Sequence, residues 1–230
     1  MTIITISRQY GSGGDEIAER LCAILGYHQF GKKDIAKAAA EVGLSDHEIV
    51  DYSDDNYKVK NFFGRLFKRP IRIAQAQIWK EDEKGIRSPE YASISIESAL
   101  TLVQKAIKTA YLADNMIIVG RGGMKILKGL PNVLHVRIEA DMEDRVQNIK
   151  TRVRHNRHGN YADIGSRRQA QEMIDTRDEA SAEYIKQYYN CNWDDISLYD
   201  MVFNTSQSSI DRVARAIAER VRATQVQLIR

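Results

Sequence analysis

The chain has 230 residues, 43% hydrophobic and 28% charged, as expected of one soluble globular domain with a sizeable core. Its formal net charge of +3 suits a small anionic ligand and is too weak to argue for nucleic-acid binding. Two cysteines, Cys22 and Cys191, make neither a disulfide framework nor a metal cluster, and the five scattered histidines contain no H-x-x-x-H pair, which argues against a zinc site.

Thr2-Ile3-Ile4-Thr5-Ile6-Ser7 is β-branched almost throughout and predicts a buried strand. No charged-then-apolar leader precedes it, and no apolar run approaches membrane-spanning length, so a reducing cytoplasm is the expected location. A glycine cluster follows, then a helix over Glu16–Leu25 with Ile17, Leu21, Ile24 and Leu25 at helical spacing and Cys22 as a small core residue. Further strands are predicted at Asn115–Val119, Val133–Ile138 and Met201–Phe203. Further helices are predicted at Ser98–Ala113, Met142–Arg154, Ser166–Tyr189 and Ile210–Val221. Strands separated by helices imply parallel pairing and a doubly wound α/β sheet.

Gly31–Glu97 breaks that rhythm. It is polar, with acids concentrated at Asp46–Asp55, bases at Lys58–Arg72 and one apolar knot at Phe62–Phe67. It predicts a mostly helical excursion from the sheet, not a second domain, because it offers too few apolar positions for its own core. Packing of the excursion onto the body is the expected role of the knot.

Chemistry concentrates at four places. The first is Ser7-Arg8-Gln9-Tyr10-Gly11-Ser12-Gly13-Gly14-Asp15-Glu16. Glycines between a buried strand and a helix let backbone N–H groups converge on a phosphate at the positive helix end. The bland alternative is a tight turn with no ligand. In the register of the phosphate-loop pattern G-x-x-x-x-G-K-S/T, Arg8 takes the first glycine, Gly14 the lysine and Asp15 the hydroxyl residue. Arg8 is a candidate for the missing charge. Asp15 is either a metal ligand or, as the better reading, a first-turn acid favouring the helix dipole.

The second is Gly120-Arg121-Gly122-Gly123, which places an arginine at a strand's C-terminal end, suited to a bidentate phosphate contact. The third is a basic run, Arg145, Lys150, Arg152, Arg154, Arg157, Arg167 and Arg168, around the turn-rich piece 155–161. An arginine-rich flap is what phosphoryl transfer needs, although most of these arginines fit a solvated face equally well. The fourth is Asp175-Thr176-Arg177-Asp178, where adjacent side chains point about 100° apart on a helix.

In order, these residues resemble the cytidylate kinase-like family. ITISRQYGSGG looks like its first strand and phosphate loop; IIVGRGG with ILKGLPNVLHVRIEA and EDRV looks like its central strands and nucleotide-contacting arginine. WDDISLYDMVFNTSQSSID looks like its C-terminal signature. The resemblance implies a single P-loop NTPase domain of the nucleoside-monophosphate kinase type, with an acceptor-binding insertion at 31–97 and a lid near 150–168. It implies ATP and Mg²⁺ as cofactors and nucleotides as small-molecule partners, without nucleic acid or membrane, and leaves a homodimer open.

By the resemblance, Arg8, Gly11, Ser12, Gly13, Gly14, Asp15 and Arg145 bind ATP, while Lys32, Lys37, Arg121, Arg177 and Asp178 contact the acceptor. Arg121, Arg152, Arg154 and Asp178 form the catalytic set, with Arg145, Arg152 and Arg154 belonging to the lid. Three departures remove positive charge or a polar contact: Asp15 for a basic residue, Gly31 for an aspartate and Ser181 for an arginine. Phosphoryl transfer to CMP or dCMP is the expectation, with a nucleotide sensor or a kinase for another small acceptor as rivals.

Overall fold

The computed structural model describes residues 2–31, 34, 75–81, 87–93, 96–155 and 166–227; for 75–99, 152–155 and 225–227 only the backbone is described. The described residues fall into two compact units, Met1–Gln29 with Asp114–Arg230, and Phe30–Ala113.

The first unit contains a five-stranded, wholly parallel sheet ordered β2-β5-β1-β6-β7. Its strands are β1 (Ile3–Arg8), β2 (His28–Gln29), β5 (Met116–Val119), β6 (Val133–Glu139) and β7 (Met201–Asn204). The helices are α1 (Gly14–Leu25), the single turn α3 (Gly123–Ile126), α4 (Met142–His155), α5 (Arg167–Tyr189) and α6 (Ile210–Gln227).

β1 is central, so its side chains meet protein on both faces. Alternation along it separates two environments. Ile4 and Ile6 point to one face, where Ile117, Val119, Val136 and Ile138 join Ile17, Ala18 and Leu21 of α1 and Val213, Ala214, Ile217 and Val221 of α6. Burial of each large aliphatic side chain there contributes about 1.5–3 kcal/mol. Thr5 and Ser7 point to the other face, opposite His135 and Arg137 of β6 in register. This second face is unusually polar, with Ser7 and Arg137 both buried.

α5 starts on a capping box, Ser166 Oγ accepting from Gln169 N–H and the Gln169 side chain accepting from Ser166 N–H. α6 continues to Gln227, beyond the Val221 at which its apolar pattern ends. No described helix is long and apolar enough to cross a membrane.

In the second unit, β3 (Gln75–Glu81) and β4 (Arg87–Ser93) form an antiparallel ribbon, and α2 spans Ile96–Ala113. Those two strands lie in the stretch expected to be mostly helical. Antiparallel pairing satisfies their backbone groups without the apolar periodicity that the sequence lacks there. The Phe62–Phe67 knot lies outside the described residues.

Candidate functional site

The site is built at the C-terminal end of β1. There Gln9 N–H donates to Ile138 O at 3.0 Å and Ser12 N–H to Gln9 O at 3.2 Å, folding the chain back towards α1. The buried Ser12 hydroxyl lies 2.8 Å from Gln9 O and 3.3 Å from Ile138 O. The result is a closed glycine loop whose last residues, Gly14 and Asp15, form the first turn of α1. At the far end of α1 there is no basic last turn, whereas Asp15 and Glu16 sit at the N-terminal end.

Arg8 crosses this loop. A Cβ on Gly14 would come within 2.6 Å of Arg8 Cβ and 2.8 Å of its Cγ, and a Cβ on Gly120 within 3.0 Å of its Nη1. The arginine stem therefore lies over the start of α1, while the guanidinium reaches the end of β5. Arg8 Nε donates to Asp15 Oδ1 at 3.1 Å.

β5 ends in three successive left-handed residues, Gly120 (φ 72°), Arg121 (φ 54°) and Gly122 (φ 72°). The left-handed region is costly for residues with a Cβ, which explains the flanking glycines and makes Arg121 the exception. Space demands glycine as well: a Cβ on Gly122 would meet the Tyr189 ring at 2.5 Å, and one on Gly123 would press on Ile118 and Thr5. Arg121 Nη1 lies 3.5 Å from Val119 O, so the side chain folds back along its own strand end.

A second layer holds the loop from the α4–α5 side. Tyr10 N–H donates to Asp178 Oδ1 at 2.8 Å, while Arg145 Nη1 and Nη2 donate to Asp178 Oδ2 at 2.9 and 2.5 Å. Arg145 Nε also donates to Tyr10 O at 3.2 Å, and Asn148 Nδ2 to Gly11 O at 2.9 Å. Burial pushes the Asp178 carboxyl above the usual carboxylate range, against the pull of the Tyr10 amide and the Arg145 guanidinium. The Arg177 guanidinium stacks over the Tyr10 ring, 5.2 Å from its centroid.

A third layer comes from the C-terminal part of the chain. Trp193 Nε1 donates to Ser7 Oγ at 2.8 Å, and the Tyr199 hydroxyl lies 3.1 Å from the same oxygen and 3.0 Å from Trp193 O. Trp193 O can only accept, so the single Tyr199 proton goes there when that bond forms. Arg137, fully buried, donates to Glu139, Trp193 O and Asp194 Oδ1 while its guanidinium stacks 4.6 Å from the Trp193 ring. Higher up, Thr205 Oγ1 donates to Ser12 O at 2.8 Å, and Asn204 Nδ2 to Asp141 Oδ1 at 3.1 Å.

The loop at a central strand end, the glycine–arginine turn beside it and the Trp-to-Thr brace recur in order along the chain, and a family model for the cytidylate kinase-like family matches residues 3–207. The chain belongs to the cytidylate kinase-like family. No curated protein matches it by sequence. A crystal structure of an uncharacterised protein from Eubacterium ventriosum ATCC 27560 is similar at 16% identity, with a TM-score of 0.60 over 96% of this chain and 98% of that one. Shikimate kinase from Acinetobacter baumannii, in complex with shikimate, gives 12% identity and a TM-score of 0.44 over 97% and 94%. Shikimate kinase from Bacteroides thetaiotaomicron gives 10% and 0.46 over 96% and 98%. The likeness to the Eubacterium ventriosum structure shows the fold alone, an α/β arrangement with a parallel sheet flanked by helices.

For this cytidylate kinase-like chain, the expected site residues divide by position. Arg8, Gly11, Ser12, Gly13, Gly14 and Asp15 come together at the loop, and Gly120 brings the Arg121 turn against Arg8. Arg145 and Asp178 also meet the loop, but with their polar atoms turned to its backbone and to each other. Arg177 reaches Tyr10. Arg152 and Arg154 lie on α4 with side chains outside the described residues, as do Lys32 and Lys37 entirely.

Sequence reasoning passed over Gln9, Tyr10, Asn148, Trp193 and Thr205 as individual contributors. The composition of the WDD and NTS runs was the one available signal for the last two. Among the described residues no group of three or more His, Cys, Asp or Glu is placed to hold a metal ion. A magnesium ion carried by a nucleotide needs only one or two carboxylates beside the phosphates, and the carboxylate at the loop, Asp15, is paired with Arg8.

Proposed function

We propose that this protein transfers the γ-phosphoryl group of ATP, presented with Mg²⁺, to a nucleoside monophosphate, with CMP or dCMP the first candidates. One observation carries the reading: the glycine loop at the end of the central strand brings Arg8 and the first-turn amides of α1 to one place, beside the Arg121 turn. Gly11–Gly14 would receive the ATP phosphates through backbone N–H groups, and Arg121 would meet the acceptor phosphate. Arg177 serves the acceptor side, as Lys32 and Lys37 would, while Arg152 and Arg154 would close over the phosphates from the lid.

An acceptor phosphate oxygen attacks the γ-phosphorus as the bond to the β–γ bridging oxygen breaks, and ADP leaves. That oxygen is already deprotonated near neutral pH, so no side chain has to remove a proton. Catalysis is then positional and electrostatic. Both Asp178 oxygens are engaged within the protein, which supports a positioning role for Asp178 and Arg145: they hold the loop in shape. The magnesium would supply charge neutralisation of the phosphates; Asp15, the carboxylate at the loop, is paired with Arg8.

A coupled ADP-release assay across CMP, dCMP, UMP, AMP and GMP tests the proposal. Turnover with one of them is expected; none with any would sink it. A nucleotide sensor is the second reading, favoured by the Arg8–Asp15 pair, which neutralises charge where a kinase loop has a lysine. A sensor would show a thermal shift with ATP and release no ADP.

A further inference from the structure

Two oddities of the loop, an arginine at position 8 and a glycine at position 14, are a single arrangement in space. With Arg8 Cβ and Cγ 2.6 and 2.8 Å from where a Cβ on residue 14 would sit, no side chain fits at 14 while Arg8 lies there. Arg8 thus fills the start of the path that a lysine at 14 would follow. Its head continues to Gly120, bringing the guanidinium to the crevice between the C-terminal ends of β1 and β5, which pair directly. Crevices at the carboxyl ends of parallel strands are where open α/β sheets take their ligands.

Asp15 is the other half of the arrangement. It brings a carboxylate to the positive end of α1 and pairs with Arg8 Nε at 3.1 Å. The Arg8 and Asp15 side chains are 21% and 36% exposed, so the pair lies at the solvent edge, where such bonds are weak and readily exchanged. A guanidinium fork matches phosphate oxygens better than a single carboxylate contact, and a triphosphate brings more charge than Asp15.

We propose that Arg8 takes over the phosphate-facing role of the absent lysine, and that Asp15 is its resident counter-anion, exchanged for phosphate when a polyphosphate binds. The inference rests on the reading of Gly11–Gly14 as a nucleotide phosphate loop. The exchange favours triphosphates over monophosphates, since only the former bring enough charge to displace the carboxylate.

Calorimetric titration of ATP, AMP and inorganic tripolyphosphate, each with EDTA and with Mg²⁺, tests it on full-length protein. Arg8→Ala is expected to weaken ATP about tenfold or more, the loss of one charge-assisted contact. Asp15→Asn is expected to tighten ATP in EDTA by about threefold to tenfold in the native background and by less than about twofold beside Arg8→Ala. The exchange Arg8→Gly with Gly14→Lys should return ATP affinity to within about threefold of native, a small fraction of the one-contact loss. Should Arg8→Ala lose its cooperative melt, Arg8→Lys takes its place, with a loss of about twofold to fivefold.

Unchanged ATP binding in the Arg8 variants overturns the inference, as does weaker ATP binding by Asp15→Asn in EDTA. Weakening by Asp15→Asn only with Mg²⁺ makes Asp15 a metal ligand and overturns the counter-anion role. Native protein that binds tripolyphosphate through Arg8 but not ATP upholds the inference and removes the nucleotide reading. Binding of neither overturns both.

Discussion

Trp193 Nε1 and Ser7 Oγ are joined by a 2.8 Å hydrogen bond that ties the WDD run to the last buried side chain of β1 before the glycine loop. Trp193→Phe keeps an aromatic ring there and removes the donor. Ser7 keeps its Tyr199 neighbour, so the expected cost is about 1–2 kcal/mol in urea unfolding. The apparent Kd for ATP should rise with it, because Arg8 follows Ser7 directly.

Arg145 carries a larger share. Arg145→Met removes both contacts to Asp178 and the one to Tyr10 O, and leaves a largely buried carboxylate with only the Tyr10 amide. Removing one partner of a buried pair costs roughly 3–5 kcal/mol, and a fall of that size in unfolding free energy is expected. Arg145→Lys should recover part of it, since an ammonium cannot serve Asp178 and Tyr10 together.

Two glycine substitutions probe the turn after β5 and the loop before α1. Gly122→Ala meets the Tyr189 ring and a left-handed backbone, so a loss of at least about 1–2 kcal/mol is expected from thermal melts. Gly14→Ala acts on both stability and binding. Ala favours a helix over Gly by about 1 kcal/mol, but its Cβ would sit 2.6 Å from Arg8 Cβ, which is fixed to the β1 backbone and cannot swing aside. Its melt should fall together with ATP binding, because relieving the contact shifts Arg8 and the start of α1.

His135 gives the fold a dependence on pH. Burial holds its ring below the ordinary histidine value, with Asp200 opposing, and Nδ1 lies 2.7 Å from Thr5 Oγ1. The unfolded chain therefore takes up the proton first on acidification. Stability is full above about pH 6.5 and declines as the pH falls below it towards the lowered ring value. His135→Gln should flatten that part of the stability profile between pH 5 and 7.5.

Much of the architecture was legible because the main strands are runs rich in β-branched residues, two of which lead into glycine-containing turns. Ile3–Arg8, Met116–Val119 and Val133–Glu139 lie within a residue of the expected strands. His28–Gln29 was not: two exposed polar residues pair with β5 through backbone alone and leave no side-chain pattern. The glycine loop and the Arg121 turn were legible for the same reason as the strands they end. Their braces were not, since Tyr10 and Asp178 are 168 positions apart and Ser7 and Trp193 are 186 apart. Nor does sequence alone reveal that Arg8 and Gly14 share one volume, which depends on the direction the arginine takes.

β1 leaves the ribosome before all its sheet partners, yet it pairs with β5 and β6, which are made more than a hundred residues later. Thr205, which secures Ser12 O, is made later still. The strand and loop are thus made well before the segments that complete them, so a nascent chain exposes an apolar strand that waits for its neighbours. Such delayed pairing slows folding and invites association with other chains.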